Sequence, residues 1–428
     1  RPKRMIKKYT PIAAAFVFLW MIASLFAITN GAGIQRLTYS GNNAAEFPCL
    51  SDDGRWMLYV LDIKEGDTTT KAVMLMDVEN VKQRELFRSG TKMAPAPYKN
   101  IPLLVGSKPP LISGNGQIAV FSLTLGKPEN MIDHYLGIIN TDGTDLRIFS
   151  FPIESLNQKD FKSLEFKSSD WERVSNYAVD KEGHRIACLL KGHLGPRRYG
   201  SASGIILLDA RDGKQKPIIG PDFNGTEWEW LSFPRRPLLG GGWSFCLSGN
   251  GEKLVFGAQS SEEKTDYDLY SVSWDGKGMK RITDFHDRWF SLADISHDGK
   301  ILVFYYNGKK IDGMGTYVMN TNGSGLRYLE SERAPRIELF DLSGNGRTIL
   351  YKHIYKGMVL DLRTGRETVA FDQETPGYIR GLIPMDFPRI PAFWGARIMS
   401  FTGDRALLVG PPLGKETPEI YLLHIDVK

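Results

Sequence analysis

Residues that carry chemistry are scarce in this chain of 428 residues, which holds seven histidines and three cysteines. Three cysteines are too few for a disulfide framework. The histidines (His134, His184, His193, His286, His297, His353 and His424) are scattered and none pairs at a metal-ligand spacing. A compact zinc motif is therefore excluded, while a site assembled from distant segments is not. No G-x-S-x-G elbow, Walker loop or dinucleotide fingerprint occurs, which argues against serine-hydrolase, P-loop and Rossmann chemistry. An excess of one charge is missing from most of the chain as well. Five of the 54 lysines and arginines fall in the first eight residues, and the other 49 balance 49 acidic residues. A neutral surface gives no electrostatic footprint for nucleic acid, so none is expected as a partner.

Long apolar runs are absent apart from one. It follows the basic stretch RPKRMIKK and extends without a charge from Tyr9 to Ile28. Twenty residues at helical rise span about 30 Å, enough for one bilayer crossing. The basic stub at residues 1–8 predicts a cytoplasmic N-terminus and places the rest of the chain in the periplasm or outside the cell. A cleaved signal peptide would need small residues at the cleavage site. Ala27 has Leu25 two residues before it and Ala32 has Asn30, so residues 9–28 are expected to remain as a transmembrane anchor.

Glycine is plentiful and punctuates a phrase that recurs seven times. It reads FPCLSDDGRWMLYV from Phe47, PLISGNGQIAVFS from Pro110, YAVDKEGHRIACLL from Tyr177, FCLSGNGEKLVFG from Phe245, ADISHDGKILVFYY from Ala293, FDLSGNGRTILYK from Phe340 and MSFTGDRALLVG from Met399. Each copy predicts a strand, a tight turn that reaches positive φ, and a second strand. A second half recurs too, as in YLGIINTDGTDLRIF from Tyr135, DLYSVSWDGKGMKRIT from Asp268 and TYVMNTNGSGLRYL from Thr316. The unit is four strands. Taking Ser51, Ser113, Asp180, Ser248, Ser296, Ser343 and Thr402 as the equivalent turn positions, the shortest units fall near the ~40–50 residues of a propeller blade. The fold class predicted is all-β: a seven-bladed β-propeller of four-stranded blades over residues 33–428, preceded by one N-terminal transmembrane helix.

The paired pattern, an S-x-D/N-G turn with an I-x-F run and a later D-G turn, resembles the WD40-like repeat of TolB-type propellers over nearly the whole chain beyond residue 33. The Trp-Ser-Pro that usually opens that motif is replaced here by Leu-Ser, Ile-Ser or Val-Asp. The resemblance implies a protein-interaction platform of a bacterial envelope rather than an enzyme. Oligogalacturonate lyases share the repeat type and gather histidines from several blades around a metal, so a carbohydrate-active lyase is the enzyme alternative. A receptor for a small glycan or peptide in the central funnel is the third reading.

Blade seven ends with EIYLLHIDV from Glu419 and has no fourth strand of its own. GIQRLTYS, residues 33–40, resembles the fourth strand at Lys280–Phe285 and is expected to close the ring. Cys49 and Cys246 take the same position in blades one and four, nearly opposite in a seven-fold ring and too far apart to bridge. With Cys188, they are expected to be buried free thiols. Asp294 and Asp341 occupy one inner-strand position of adjacent blades. They either hold a cation near the channel or accept backbone hydrogen bonds at the crowded centre.

Antiparallel connectivity puts the first-to-second and third-to-fourth turns of every blade on one face and the blade-to-blade links on the other. All the long aromatic and proline-rich insertions, from Ser89, Phe151, Pro221 and Thr375, fall between blades and hence on that second face. Long loops on a rigid scaffold are where binding usually resides. Trp171, Trp228, Trp230, Arg235, Arg236 and Trp394 lie on these insertions and are of types enriched in interface hot spots. They are the expected contacts for a protein partner; the other possible role for such aromatics is to cover the disc and fill gaps between blades. No catalytic residue, metal ligand or cofactor is assigned.

Overall fold

The computed structural model describes residues 33–39, 43–95, 99, 101–126, 133–151, 173–193, 201–219, 245–259, 267–285, 290–306, 315–329, 338–353, 356–371, 399–410 and 418–425. Valine-, isoleucine- and aromatic-rich runs between glycine turns fit the pleated, half-buried surface of a sheet. They form seven antiparallel sheets arranged as a seven-bladed propeller. In blade one the strands Ala44–Leu50, Trp56–Glu65, Thr68–Asp77 and Lys82–Arg88 lie side by side in chain order. Blades three to six repeat that order, starting at Arg173, Phe245, Phe290 and Glu338.

Blade two departs from the simple unit. Its inner position is shared by Leu103–Val105 and Leu111–Ile112, both paired to Ile118–Leu125. Between them Gly106 and Lys108 donate their backbone N–H groups to the O and Oγ of Ser122, and Pro109 offers its carbonyl to the hydroxyl of Tyr177 in blade three. A proline pair cannot supply ladder donors, which accounts for the break.

The core lies in layers between neighbouring blades. One buried cluster joins blades one to three through Leu58, Phe121 and Tyr177, and another joins blade seven to blade one through Tyr59, Met57 and Tyr421. Sheets packed face to face bury both surfaces, so no blade is stable without its neighbours.

The ring closes where the sequence suggests, over a shorter stretch. Gly33–Arg36 pairs antiparallel with the strand Glu419–His424, Gly33 opposite His424 and Arg36 opposite Tyr421. Beyond Arg36 the ladder ends because Leu37 and Thr38 both donate to the carbonyl of Ile420. The Glu419 carboxylate, fully buried, then fixes the segment. It takes Arg36 Nη2 at 2.8 Å and Thr38 Oγ1 at 2.5 Å, and Thr38 Oγ1 in turn accepts the N–H of Ile420. The expected transmembrane segment, residues 9–28, lies outside the described residues. Among the described residues no helix is long and apolar enough to cross a membrane.

Candidate functional site

All seven first-to-second turns are built alike. In six the leading serine offers Oγ to the N–H five residues on, as Ser51 does to Trp56 at 3.0 Å and Ser113 to Ile118 at 2.9 Å. In five of these the residue two beyond the serine accepts from the N–H two further on, as Asn345 does from Arg347, whereas in blade seven Thr402 Oγ1 donates to the Asp404 carboxylate. In blade three Asp180 does both tasks, its Oδ1 accepting from His184 and Arg185. Burial pushes the Asp180 carboxyl above its ordinary value, the hydrogen bonds opposing. Burial acts the same way on Asp298, yet the bonds from Ser296 and Lys300 together outweigh it and leave that carboxyl low. The blade-seven turn is led by Ser400 rather than Thr402. Ser400 Oγ receives the Arg405 N–H, and Thr402 sits at the position of Asp53 and Asn115.

These turns join into a circuit. Asp52 N–H donates to Gly114 O at 2.8 Å, Asn115 to Lys181 at 2.9 Å, Lys181 to Gly249 at 2.6 Å and Asn250 to His297 at 2.9 Å. His297 donates to Gly344 at 2.7 Å, Asn345 to Phe401 at 3.0 Å, and Phe401 back to Asp52 at 2.7 Å. Seven backbone hydrogen bonds thus run once round the axis and close.

A second set ties each inner turn to the outer turn of its own blade. Val78, Thr141, Ala210, Trp274, Thr321, Leu362 and Ile425 donate their N–H groups to the carbonyls of Arg55, Gln117, His184, Glu252, Lys300, Arg347 and Asp404. Both turn types therefore share one face, as connectivity requires. Basic side chains staple that face from blade to blade: Arg147 to Ala210 O, Lys216 to Asp275 O, Lys280 to Asn322 O at 3.0 Å and Arg327 to Leu362 O at 2.5 Å. Asp142, Asp212, Asp275 and Asn322 turn the outer hairpins by accepting the N–H two residues on.

The residue after the leading turn residue forms the rim of the circuit. Going round, it is Asp52, Gly114, Lys181, Gly249, His297, Gly344 and Phe401. Hydrogen-bonded backbones lie about 4.8 Å apart, so seven steps enclose an opening roughly 11 Å across between backbones. Seven large side chains would not fit there; alternation with glycine leaves room for four. A Cβ on Gly114 would meet Asp52 Oδ2 at 2.3 Å, and one on Gly344 would meet Phe401 Cδ2 at 2.7 Å. Phe401 crosses Gly344 to meet the ring of His297 edge-on, centroids 5.5 Å apart and planes at 88°. Asp52 leans likewise over Gly114, toward blade three and its exposed Lys181. The sequence carries this alternation openly, but only the register of the turns shows that the seven positions meet.

Trp171, Trp228, Trp230, Arg235, Arg236 and Trp394 all lie outside the described residues. Asp341 takes the backbone role rather than the cation role: Oδ1 accepts from Leu342 and Oδ2 from Met399, which fixes the start of blade seven. Asp294 Oδ1 accepts from Ile295 in the same way. Cys49, Cys188 and Cys246 are free and buried, and burial pushes the Cys49 thiol up to about 12. His184 and His297 stand in inner turns. His424 is held below its ordinary value by burial and by Arg405 beside it. Among the described residues no three histidine, cysteine or acidic side chains gather as a metal site.

Neither a protein-family model nor a curated protein sequence matches this chain. Solved propellers do. An oligogalacturonate lyase in complex with manganese superposes with a TM-score of 0.55 at 12% identity, over 93% of this chain and 94% of that one. The propeller domain of the Trilobed protease from Pyrococcus furiosus gives 0.54 at 10% identity, over 90% and 96%. TolB from Acinetobacter baumannii gives 0.40 at 16% identity, over 87% and 80%. At such identities the likeness is one of fold. The Pyrococcus domain is described by an open velcro topology, whereas here Gly33–Arg36 closes blade seven.

Proposed function

We propose that the chain is a membrane-anchored, extracytoplasmic binding module that assembles with a protein partner of the cell envelope through its loop-rich face. In this reading residues 9–28 hold it in the membrane with the N-terminus in the cytoplasm, and the propeller performs no catalysis. The observation that carries the reading is the contrast between the two faces. One is short turns tied twice over by the circuit and the basic staples, with little length to spare for adapting to a partner. By chain order the blade-to-blade links leave from the other face, and Trp171, Trp228, Trp230, Arg235, Arg236 and Trp394 belong to three of the long ones. Aromatic and arginine side chains supply most interface energy when desolvated.

The test is affinity purification of the full chain from detergent-solubilised membranes, with co-purifying chains identified. Trp228→Ala with Trp230→Ala, and separately Arg235→Ala with Arg236→Ala, should each deplete the same partner at unchanged thermal stability. Equal recovery of that partner by all variants would overturn the assignment of the face.

A further inference from the structure

Charges balance over the propeller as a whole, yet on the turn face they do not balance blade by blade. Several bases of that face are matched within their own hairpins: Arg211 to Asp209 at 2.6 Å, Lys214 to Asp212 at 2.6 Å and Lys300 to Asp298 at 3.0 Å. Blade six differs. Its outer hairpin, residues 361–366, gathers four arginines. Arg363 and Arg366 belong to the hairpin itself; the carbonyl of Arg347 takes the N–H of Leu362 at 2.7 Å, and Arg327 of blade five donates from Nη2 to the carbonyl of the same Leu362 at 2.5 Å. All four are exposed. The one carboxylate of the hairpin, Asp361, accepts the N–H groups of Arg363 and Thr364. None of the four arginines makes an ion pair among the described residues. Apolar side chains stand in the turns of the two neighbouring blades: Leu326, next to Arg327, is 40% exposed, and Phe401, which crosses Gly344 of blade six, is 37% exposed.

We propose that this arginine cluster docks on the anionic phospholipid surface of the membrane, its guanidinium groups taking headgroup phosphates while Leu326 and Phe401 rest among the headgroups. Three observations select that occupant. Four exposed guanidinium groups without carboxylate partners, gathered at one hairpin, suit an array of phosphates, which arginine binds through a planar fork of donors. The exposed leucine and phenylalanine beside them favour a lipid surface over a soluble anion, which would cover neither. A bilayer also asks for no shaped groove, and this face offers only short, tied turns. The inference rests on the reading of residues 9–28 as an anchor and adds to it a contact that depends on lipid charge. Blade six adjoins blade seven, where the closing strand begins on this same face, so a chain leaving Gly33 for the bilayer would bring the arginines toward it.

The full chain, reconstituted in phosphatidylcholine vesicles that carry lipid-borne quenchers, tests it. Fluorescent labels sit on single cysteines introduced by Asn322→Cys in the outer turn of blade five, Lys214→Cys in the corresponding turn of blade three, or Arg235→Cys on the Pro221 insertion. Adding phosphatidylglycerol should raise quenching of the label at position 322, raise it less at position 214, and lose that effect at about 0.5 M salt, where exposed charges are screened within a few ångströms. Arg347→Gln, Arg363→Gln and Arg366→Gln together should abolish the rise at unchanged melting temperature. Each base at an anionic surface favours the adsorbed state about fivefold, so three are worth about a hundredfold. Arg211→Gln with Lys214→Gln, whose charges are already paired, should leave the rise at position 322 intact. Quenching at position 322 that is indifferent to phosphatidylglycerol, or to the triple variant, overturns the lipid contact; if it still exceeds quenching at position 235, the anchored orientation survives. Stronger quenching at position 235 overturns both. Loss of the rise on adding about 10 mM inorganic phosphate at constant ionic strength, enough to fill even a millimolar site, would reveal a site for the free ion and overturn the lipid assignment.

Discussion

At the scale of single residues, the glycine three beyond each leading turn residue meets two demands at once. Gly54, Gly116, Gly183, Gly251, Gly299, Gly346 and Gly403 all have φ between 67° and 81°. Each also lies against the preceding blade. A Cβ on Gly116 would stand 2.5 Å from Trp56 Cδ1, and one on Gly183 2.5 Å from Ile118 Cβ. The left-handed conformation costs an L-residue about 1–2 kcal/mol. Overpacking a tight contact adds about 1–3 kcal/mol. Gly116→Ala should therefore lose about 2–5 kcal/mol of stability. Urea unfolding at matched slope measures it, and an unchanged midpoint would mean that the blades yield to one another more than their packing implies.

At the scale of the element, what was legible was what is local. A turn whose serine, Asx residue and glycine all act within six positions announces itself in the sequence, and so did the strands on either side of it. Blade seven misled by two residues because Thr402 and Gly403 mimic the start of the phrase while Ser400 plays its part. The divided inner strand of blade two was hidden, since its second half alone carries the repeat. The circuit was hidden for another reason: its bonds join residues of successive blades far apart in sequence, and nothing within one repeat signals them. The residues proposed for partner contact stand out only as residue types on long insertions, in segments outside the described residues.

Closure is the element most open to test. Glu419 is fully buried, and its partner Arg36 is 22% exposed at the side chain. Removing one member of a buried, hydrogen-bonded ion pair costs roughly 3–5 kcal/mol, because the other is left uncompensated. Glu419→Ala should therefore release Gly33–Arg36 from blade seven, which hydrogen exchange would register as faster exchange at Gln35 and Leu37, whose N–H groups face the partner strand, with the inner blades still protected. The strand edge so bared should also promote aggregation. Unaltered exchange at those two amides would show that the backbone ladder alone holds the ring shut.

At the scale of the whole molecule, closure together with the proposed anchor would orient the disc. Gly33 pairs with His424, and the adjacent Ile425 donates to Asp404 of the blade-seven turn, so the closing strand begins on the turn face. The expected anchor ends near Ile28. Extended chain covers at most ~3.6 Å per residue, so the five steps of chain from Ile28 to Gly33 reach under about 20 Å. A propeller anchored as proposed on so short a tether would turn its tied face to the bilayer and its loop-rich face to whatever lies beyond. That orientation is the premise on which the assembly role depends. Single cysteines at Asn322, exposed on the turn face, and at Arg235, on the Pro221 insertion, can carry fluorescent labels in a background without the three native thiols. With the chain in vesicles containing lipid-borne quenchers, the account predicts stronger quenching at Asn322 than at Arg235; stronger quenching at Arg235 would contradict it.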